Sequence, residues 1–253
     1  MSLPKIGYPT YDLELPSSGK KIKFRPYTVK EEKVLLLALE SRPDPQLLQQ
    51  ADPKDAKEAV DQWEESVKDA VRDLLKNCVM SRIKVEDLPE FDLGLLFIRI
   101  RSASSGPTVQ MNVTFADGSS GETVIDLNEV DVHFPEGHEK QIDLGGGAGL
   151  VMKYPTMERF IEAEFVKKAF AEDEALTYIA ECIDKAFDEE QVHNFTVKEA
   201  AKWLGQLTPE QFESIAKFFE TAPVLQHKFQ VRNRNTGEME DFCLLYTSPS
   251  PRD

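Results

Sequence analysis

The chain has few cysteines and no long apolar run. Its three cysteines, Cys78, Cys182 and Cys243, lie far apart and form no CxxC pair, so neither a disulfide framework nor a zinc site is predicted. The amino-terminal residues lack the charged and then apolar pattern of a signal peptide. No apolar stretch approaches the ~18 residues that are needed to span a bilayer. We therefore expect a protein that is cytoplasmic at synthesis and has no membrane span.

Basic residues are scarce relative to acidic ones. Thirty lysines and arginines stand against 45 aspartates and glutamates, which gives a formal net charge of −15. Because this charge repels phosphate backbones and anionic membrane surfaces, nucleic-acid binding is not expected. The basic run from Lys20 to Arg25 is interpreted as the solvated face of a strand.

The sequence also lacks a convergent set of catalytic residues. The glycine-rich segment 145–149 has no following Lys-Ser/Thr and is predicted to be a turn rather than a nucleotide-binding loop. His133 and His138 bracket a short loop that could bring both rings to one metal ion, but the chain has only four histidines and no cysteine lies nearby. We therefore predict no catalytic residue, no metal, no cofactor and no small-molecule substrate.

The clearest local pattern begins near the amino terminus. Residues 11–25 form two alternating segments around the turn sequence Pro-Ser-Ser-Gly, which predicts a β-hairpin. Thr28 then lies three residues before Glu31, the spacing of a capping box at the start of a helix. The same spacing predicts two further helix starts, at Thr196 with Glu199 and at Thr208 with Gln211.

The periodicity then changes twice along the chain. It is helical over residues 56–78 and 91–104, where apolar residues recur every three or four positions. Apolar and polar residues alternate over residues 107–153, in short strands that are separated by turn residues. Helical spacing returns at Pro155 and includes a predicted helix over residues 176–187.

The predicted fold class is α+β. It is mostly helical, with an N-terminal β-hairpin, a small antiparallel β insert in the middle and a short C-terminal hairpin over residues 227–242. The predicted domains are an N-terminal hairpin with helices (1–106), the β insert (107–153), and a C-terminal helical region with the closing hairpin (154–242).

The last eleven residues, 243–253, are expected to be non-native. One choice of codons for them reads as a transposase-based sequencing-library adapter. We therefore expect the natural reading frame to run through about Phe242 and then to enter the adapter. The alternative is an ordinary tail rich in serine and proline.

Four sequence blocks occur in a recognisable order. They are LPSSGKKIKFRPYTVKEEKVLLLALES at 15–41, DLPEFD leading into LLFIRIRS within 87–102, MKYPT at 152–156, and a block from Gln211 to His227 that contains KFFETAPVLQH. Together they resemble the baseplate hub assembly proteins of T-even-like contractile-tailed bacteriophages, over roughly residues 4 to 242. Members of that family often carry cysteine pairs where this chain has the turns DGSSG (117–121) and NRNTG (233–237).

The resemblance implies a non-enzymatic protein–protein assembly factor for the baseplate hub of a contractile phage tail. Such a protein is either a hub component or an assembly chaperone that acts before the hub is complete. Its partners would be other baseplate hub or tail proteins, in the cytoplasm of the infected bacterial host or in the tail baseplate of the virion. The alternative is a hub-associated hydrolase or another enzyme.

Two segments are predicted to contact a partner. The first is the corner between the hairpin and the first helix, with Phe24, Arg25 and Tyr27. The second is the end of the last predicted helix together with the apolar run that continues past it; its residues are Phe218, Phe219, Val224 and Leu225. For this second segment, packing against the closing hairpin inside the molecule is the favoured alternative.

Overall fold

The computed structural model describes residues 6–156 and 172–246. Of these residues, 40% are helical and 27% lie in strands. The contacts divide the chain into two units. Unit 1 comprises Met1–Val85, Asp92–Val132 and Leu225–Asp253, and unit 2 comprises Glu86–Phe91 and His133–Val224. The domain boundaries at residues 106 and 153 stay predictions.

The described helices are, in chain order, α1 (Val29–Glu40), α2 (Pro45–Gln50), α3 (Pro53–Cys78), α4 (Glu90–Ser105), α5 (Glu172–Glu181), α6 (Val197–Leu204) and α7 (Pro209–Glu220). The described strands are β1 (Tyr11–Glu14), β2 (Lys21–Phe24), β3 (Thr108–Thr114), β4 (Ser120–Asp126), β5 (Asp131–His133), β6 (Gln141–Gly145), β7 (Ala148–Met152), β8 (Ile183–Phe187), β9 (Val192–His193), β10 (Val224–Arg232) and β11 (Met239–Tyr246).

In the described part of unit 1, three small sheets accompany the helices, and the β1–β2, β3–β4 and β10–β11 pairs are antiparallel. β1 pairs with β2, β3 pairs with β4, and the third sheet has the order β11-β10-β5. One core cluster joins α4 to β4, the β4–β5 connection and the start of β10; its buried members are Leu95, Ile98, Ile125, Leu127, Val130 and Leu225. Arg99 of α4 fixes the same connection, because its guanidinium donates to the carbonyl oxygens of Leu127 (2.6 Å) and Val130 (2.8 Å).

Unit 2 is built on the four-stranded sheet β6-β7-β8-β9. The second strand, β7, carries the fully buried Leu150 and Met152. Its Gly149 lies opposite Phe187 of β8, and a Cβ atom at this glycine would come within 2.4 Å of the Phe187 ring. On β6, the Leu144 carbonyl oxygen accepts a hydrogen bond from the Gln211 side chain of α7 (2.8 Å).

The prediction of a mostly helical fold was wrong. In the residues that the structure describes, four small sheets stand beside the helices and make a more even α+β mixture. The helix predicted over residues 176–187 ends at Glu181, and Ile183–Phe187 forms β8, paired with β7. Apolar residues every three or four positions suited a helix locally, but pairing with β7 determined the structure.

The predicted middle insert and C-terminal hairpin also need correction. The strands of residues 107–153 are present, but they belong to three different sheets, since β5 pairs with β10 and the β6–β7 pair continues into β8. The C-terminal hairpin is longer than predicted and is part of a three-stranded sheet.

The helix predicted from Pro155 onwards falls largely on residues 157–171, which lie outside the described residues. Among the described helices, none has the length and apolar character that crossing a membrane requires.

Candidate interaction surfaces

The corner between β2 and α1 is a structural junction. Phe24 is buried and stacks on Tyr11 with 5.5 Å between ring centroids. Tyr27 is half-buried, its backbone N–H donates to the Ser104 hydroxyl of α4 (3.0 Å), and its own hydroxyl is hydrogen-bonded to that of Ser105. Of the three residues predicted here, Arg25 and Tyr27 therefore keep part of their side chains at the surface.

Arg25 holds the start of α1 through Glu31. Its two terminal nitrogens lie 2.6 Å and 3.2 Å from the two carboxylate oxygens of Glu31, a paired geometry that is stronger than a single contact. The same carboxylate accepts hydrogen bonds from the backbone N–H (2.5 Å) and hydroxyl (2.8 Å) of Thr28, which confirms the predicted capping box. The Arg25 hydrogen bond is the main reason that the pKa of Glu31 falls to about 2.

Helix α1 exposes an unusual amount of apolar surface. No residue of this helix is buried, and four of its large apolar side chains remain 45–55% exposed: Val34, Leu36, Leu37 and Leu39. We call these four residues the α1 patch. The helix packs on α3, where the indole Nε1 of Trp63 donates to the Ala38 carbonyl oxygen (3.0 Å).

The segment after the α1 patch is acidic and also carries exposed apolar residues. Leu47 of α2 is 65% exposed, and the buried residues of α3 all lie in its second half, from Ala70 onwards. Between residues 40 and 65 there are eight acidic side chains and three basic ones. This part of unit 1 therefore combines apolar side chains with negative charge.

The second predicted segment is divided between buried and exposed positions. Phe218 is buried in unit 2, stacked on His138 (5.2 Å) and Tyr154 (5.5 Å). Phe219 is half-buried, and Val224 is partly exposed. Leu225 is buried in the core of unit 1. Only Phe219 and Val224 of this group thus present side-chain surface to a partner.

His138 makes structural hydrogen bonds with both ring nitrogens. Nδ1 pairs with the Thr221 hydroxyl (2.9 Å) and Nε2 with the Tyr154 hydroxyl (2.8 Å). Burial, followed by the nearby charge of Lys140, lowers the pKa of His138. Within the ranges 6–156 and 172–246, no group of three or more histidine, cysteine, aspartate or glutamate side chains is placed to hold a metal ion.

A cleft of about 350 Å³ in unit 2 was not predicted from the sequence. It lies where β8 and β9 face α6 and is lined by three aromatic side chains, Phe187, Phe195 and Trp203. Asp188 and His193 also line it, with Nε2 of the histidine 2.6 Å from a carboxylate oxygen of the aspartate. Among the described lining residues there is no serine, threonine or cysteine that this pair could activate.

The sequence held only weak signals for the cleft. The capping box at Thr196 and Glu199 correctly places the start of α6, and Trp203 follows one turn later. The other wall is β8, which the helical interpretation of residues 176–187 obscured. The hint that the sequence offered was therefore Trp203, an aromatic residue on a short amphipathic helix to which no function was given.

Comparison with known protein families gives a match over most of the chain. The family model described as T4 bacteriophage base plate protein matches residues 8–247. No curated protein and no solved structure matches the chain. The family match covers both predicted interaction segments and the cleft.

Proposed function

This chain belongs to the family of T4 bacteriophage base plate proteins, and on that premise we propose that it is a non-enzymatic assembly factor of the baseplate hub. It acts either as a hub component or as a chaperone of tail assembly. Its partners are other hub or tail proteins of the phage. It works in the cytoplasm of the infected host, and a hub component would also be found in the virion baseplate.

The observation that carries this proposal is the α1 patch. Scattered exposed apolar residues are common, but several on one short helix are typical of a surface that a partner covers. The patch also follows directly on the corner with Arg25 and Tyr27, so a partner that covers α1 has polar groups within reach at the helix start. The proposed contact therefore combines one predicted segment with exposed apolar residues of α1 that were not predicted.

The α1 patch is too small to hold a partner by itself. Fully burying a leucine or valine side chain contributes about 1.5 to 3 kcal/mol, so four half-exposed side chains would contribute about 3 to 6 kcal/mol. Association itself costs about 4 to 15 kcal/mol in lost freedom of movement. A stable complex therefore needs further contacts, for which Leu47 in the same unit is a candidate.

The proposal is tested by the double variant Leu36→Gln/Leu37→Gln in infected cells. Tagged wild-type protein should capture hub or tail proteins, and the variant should recover several-fold less of them although it folds normally. The matched control is Val124→Gln, which also replaces an exposed apolar side chain but lies on β4. Recovery of no hub or tail protein by the wild-type chain would contradict the assembly role.

Mass spectrometry of purified virions distinguishes a hub component from a chaperone. A hub component is retained at a fixed ratio to known baseplate proteins. A chaperone is present in infected cells but missing from virions. Phage that carry the double variant should assemble fewer complete tails in either case.

A further inference from the structure

The cleft of unit 2 has the size and composition of a binding site. Its volume of about 350 Å³ falls within the range of roughly 300 to 1,000 Å³ that is usual for ligand pockets. The three aromatic rings of Phe187, Phe195 and Trp203 line it. A ligand in the cleft therefore meets flat apolar surfaces.

The carboxylate of Asp188 places a negative charge in the lining of the cleft. One carboxylate oxygen of Asp188 accepts from the backbone N–H groups of Glu190 and Gln191 (both 2.9 Å), and the other contacts His193. The hydrogen bond with His193 is the main reason that the pKa of Asp188 falls to about 2. The group therefore stays ionised at neutral pH.

Glu199 adds a second carboxylate to the lining. Its Oε2 atom accepts from the backbone N–H (2.8 Å) and hydroxyl (2.7 Å) of Thr196, so the side chain is held at the start of α6. These bonds also lower its pKa, to which the charge of nearby Lys202 contributes less. The cleft thus presents two oriented carboxylates together with aromatic rings.

We propose that this cleft binds an arginine side chain that a partner protein presents. A guanidinium group is planar and weakly hydrated, stacks on aromatic faces and pairs with carboxylates, whereas the lysine ammonium is compact and strongly hydrated. The partner is a chain with an exposed arginine in a basic region. A second copy of this chain is a poor candidate, because its net charge of −15 repels it.

The partner's place in the baseplate rests on the proposed function, but the chemistry of the cleft does not. The direct test is titration of the full chain with N-acetyl-arginine methylamide. The matched control is N-acetyl-citrulline methylamide, which has nearly the same shape and no charge. Calorimetry should show saturable binding of the arginine probe and binding of the citrulline probe that is weaker by about tenfold or more.

Fluorescence locates the binding. The chain has two tryptophans, so a Trp63→Phe chain keeps Trp203 as its sole indole. The arginine probe should then change the emission with the same midpoint as the calorimetric titration. Equal affinity for both probes, or no saturable change up to the solubility limit, would overturn the proposal.

A pair of variants tests the role of the carboxylate. Glu199→Gln removes the charge and keeps the capping box, since glutamine serves that role at Gln211. It should weaken arginine binding about fivefold. Glu210→Gln removes an exposed charge outside the described lining and should change nothing. Equal effects of the two variants would overturn a specific role for Glu199.

Failure of these titrations with normal capture of hub proteins would leave the assembly proposal standing.

Discussion

Asp92 accepts hydrogen bonds from both the backbone N–H and the hydroxyl of Ser17, which lies 75 residues earlier in the sequence. The aspartate is completely buried near the start of α4, and Ser17 lies in the turn of the β1–β2 hairpin. This contact joins two of the sequence blocks on which the family resemblance rests. Its role is therefore to fix the hairpin on the helical part of unit 1.

Asp92→Ala should lower the free energy of unfolding by about 2 to 3 kcal/mol, because it removes two hydrogen bonds from Ser17 to a fully buried carboxylate. Ser17→Ala should cost only about 1 kcal/mol, since the backbone N–H keeps its bond. Urea denaturation of both variants measures the difference. Equal losses would show that the backbone hydrogen bond is unimportant.

Glu31→Gln should destabilise the protein in a pH-dependent way. Because the pKa of Glu31 is depressed to about 2, its ionised form stabilises the folded state fully above pH 4.5, and this contribution disappears as the pH falls towards 2. We expect the wild type to exceed the variant by about 2 kcal/mol at pH 7 and by much less at pH 3. A pH-independent difference in denaturation midpoints would contradict this explanation.

Gly149→Ala should destabilise unit 2. The new methyl group would come within 2.4 Å of the Phe187 ring and 2.9 Å of the Ile142 carbonyl oxygen, so the β7–β8 pair must shift, at a cost of about 1 to 3 kcal/mol. Gly205→Ala is the matched control. Its Cβ would meet nothing closer than 3.5 Å at a right-handed helical position, and we expect no loss of stability in thermal denaturation.

The α1 patch should contribute little to the stability of the isolated chain. Leu37→Gln replaces a side chain that is 55% exposed and should change the free energy of unfolding by less than about 1 kcal/mol. Leu75→Ala, at a fully buried position of α3, should cost about 2 to 5 kcal/mol. A large effect of the first variant in denaturant titrations would mean that the patch belongs to the core.

Thiol labelling should distinguish the three cysteines. Cys243 is exposed, whereas Cys78 and Cys182 are buried, and burial raises the pKa of Cys78 to about 11. An alkylating reagent should therefore modify Cys243 rapidly in the native protein and the other two only after unfolding. Peptide mapping after a short exposure identifies the modified residue.

Elements with strong local signals were predictable from the sequence. The capping boxes at Thr28, Thr196 and Thr208 all lie at helix starts, because the donors and acceptors that define them are only three residues apart. The long apolar stripe up to Cys78 likewise gave α3.

Long-range pairing was not predictable in the same way. Ile183 to Phe187 has apolar residues at helical spacing, and only the position of β7 makes it a strand. The partner of β5 is β10, about 90 residues later, and nothing in either short segment specifies the other. The cleft depends on β8, β9 and α6 together, so its residues could not be recognised before the sheet was known.

The β5–β10 pairing also has a consequence for synthesis on the ribosome. Residues 133–224 of unit 2 leave the ribosome before β10 does, whereas the third sheet of unit 1 lacks a strand until β10 emerges. Because a chain can fold while it emerges from the ribosome, unit 2 should become compact before unit 1 does. Unit 1, although it begins the sequence, is then the last to be completed.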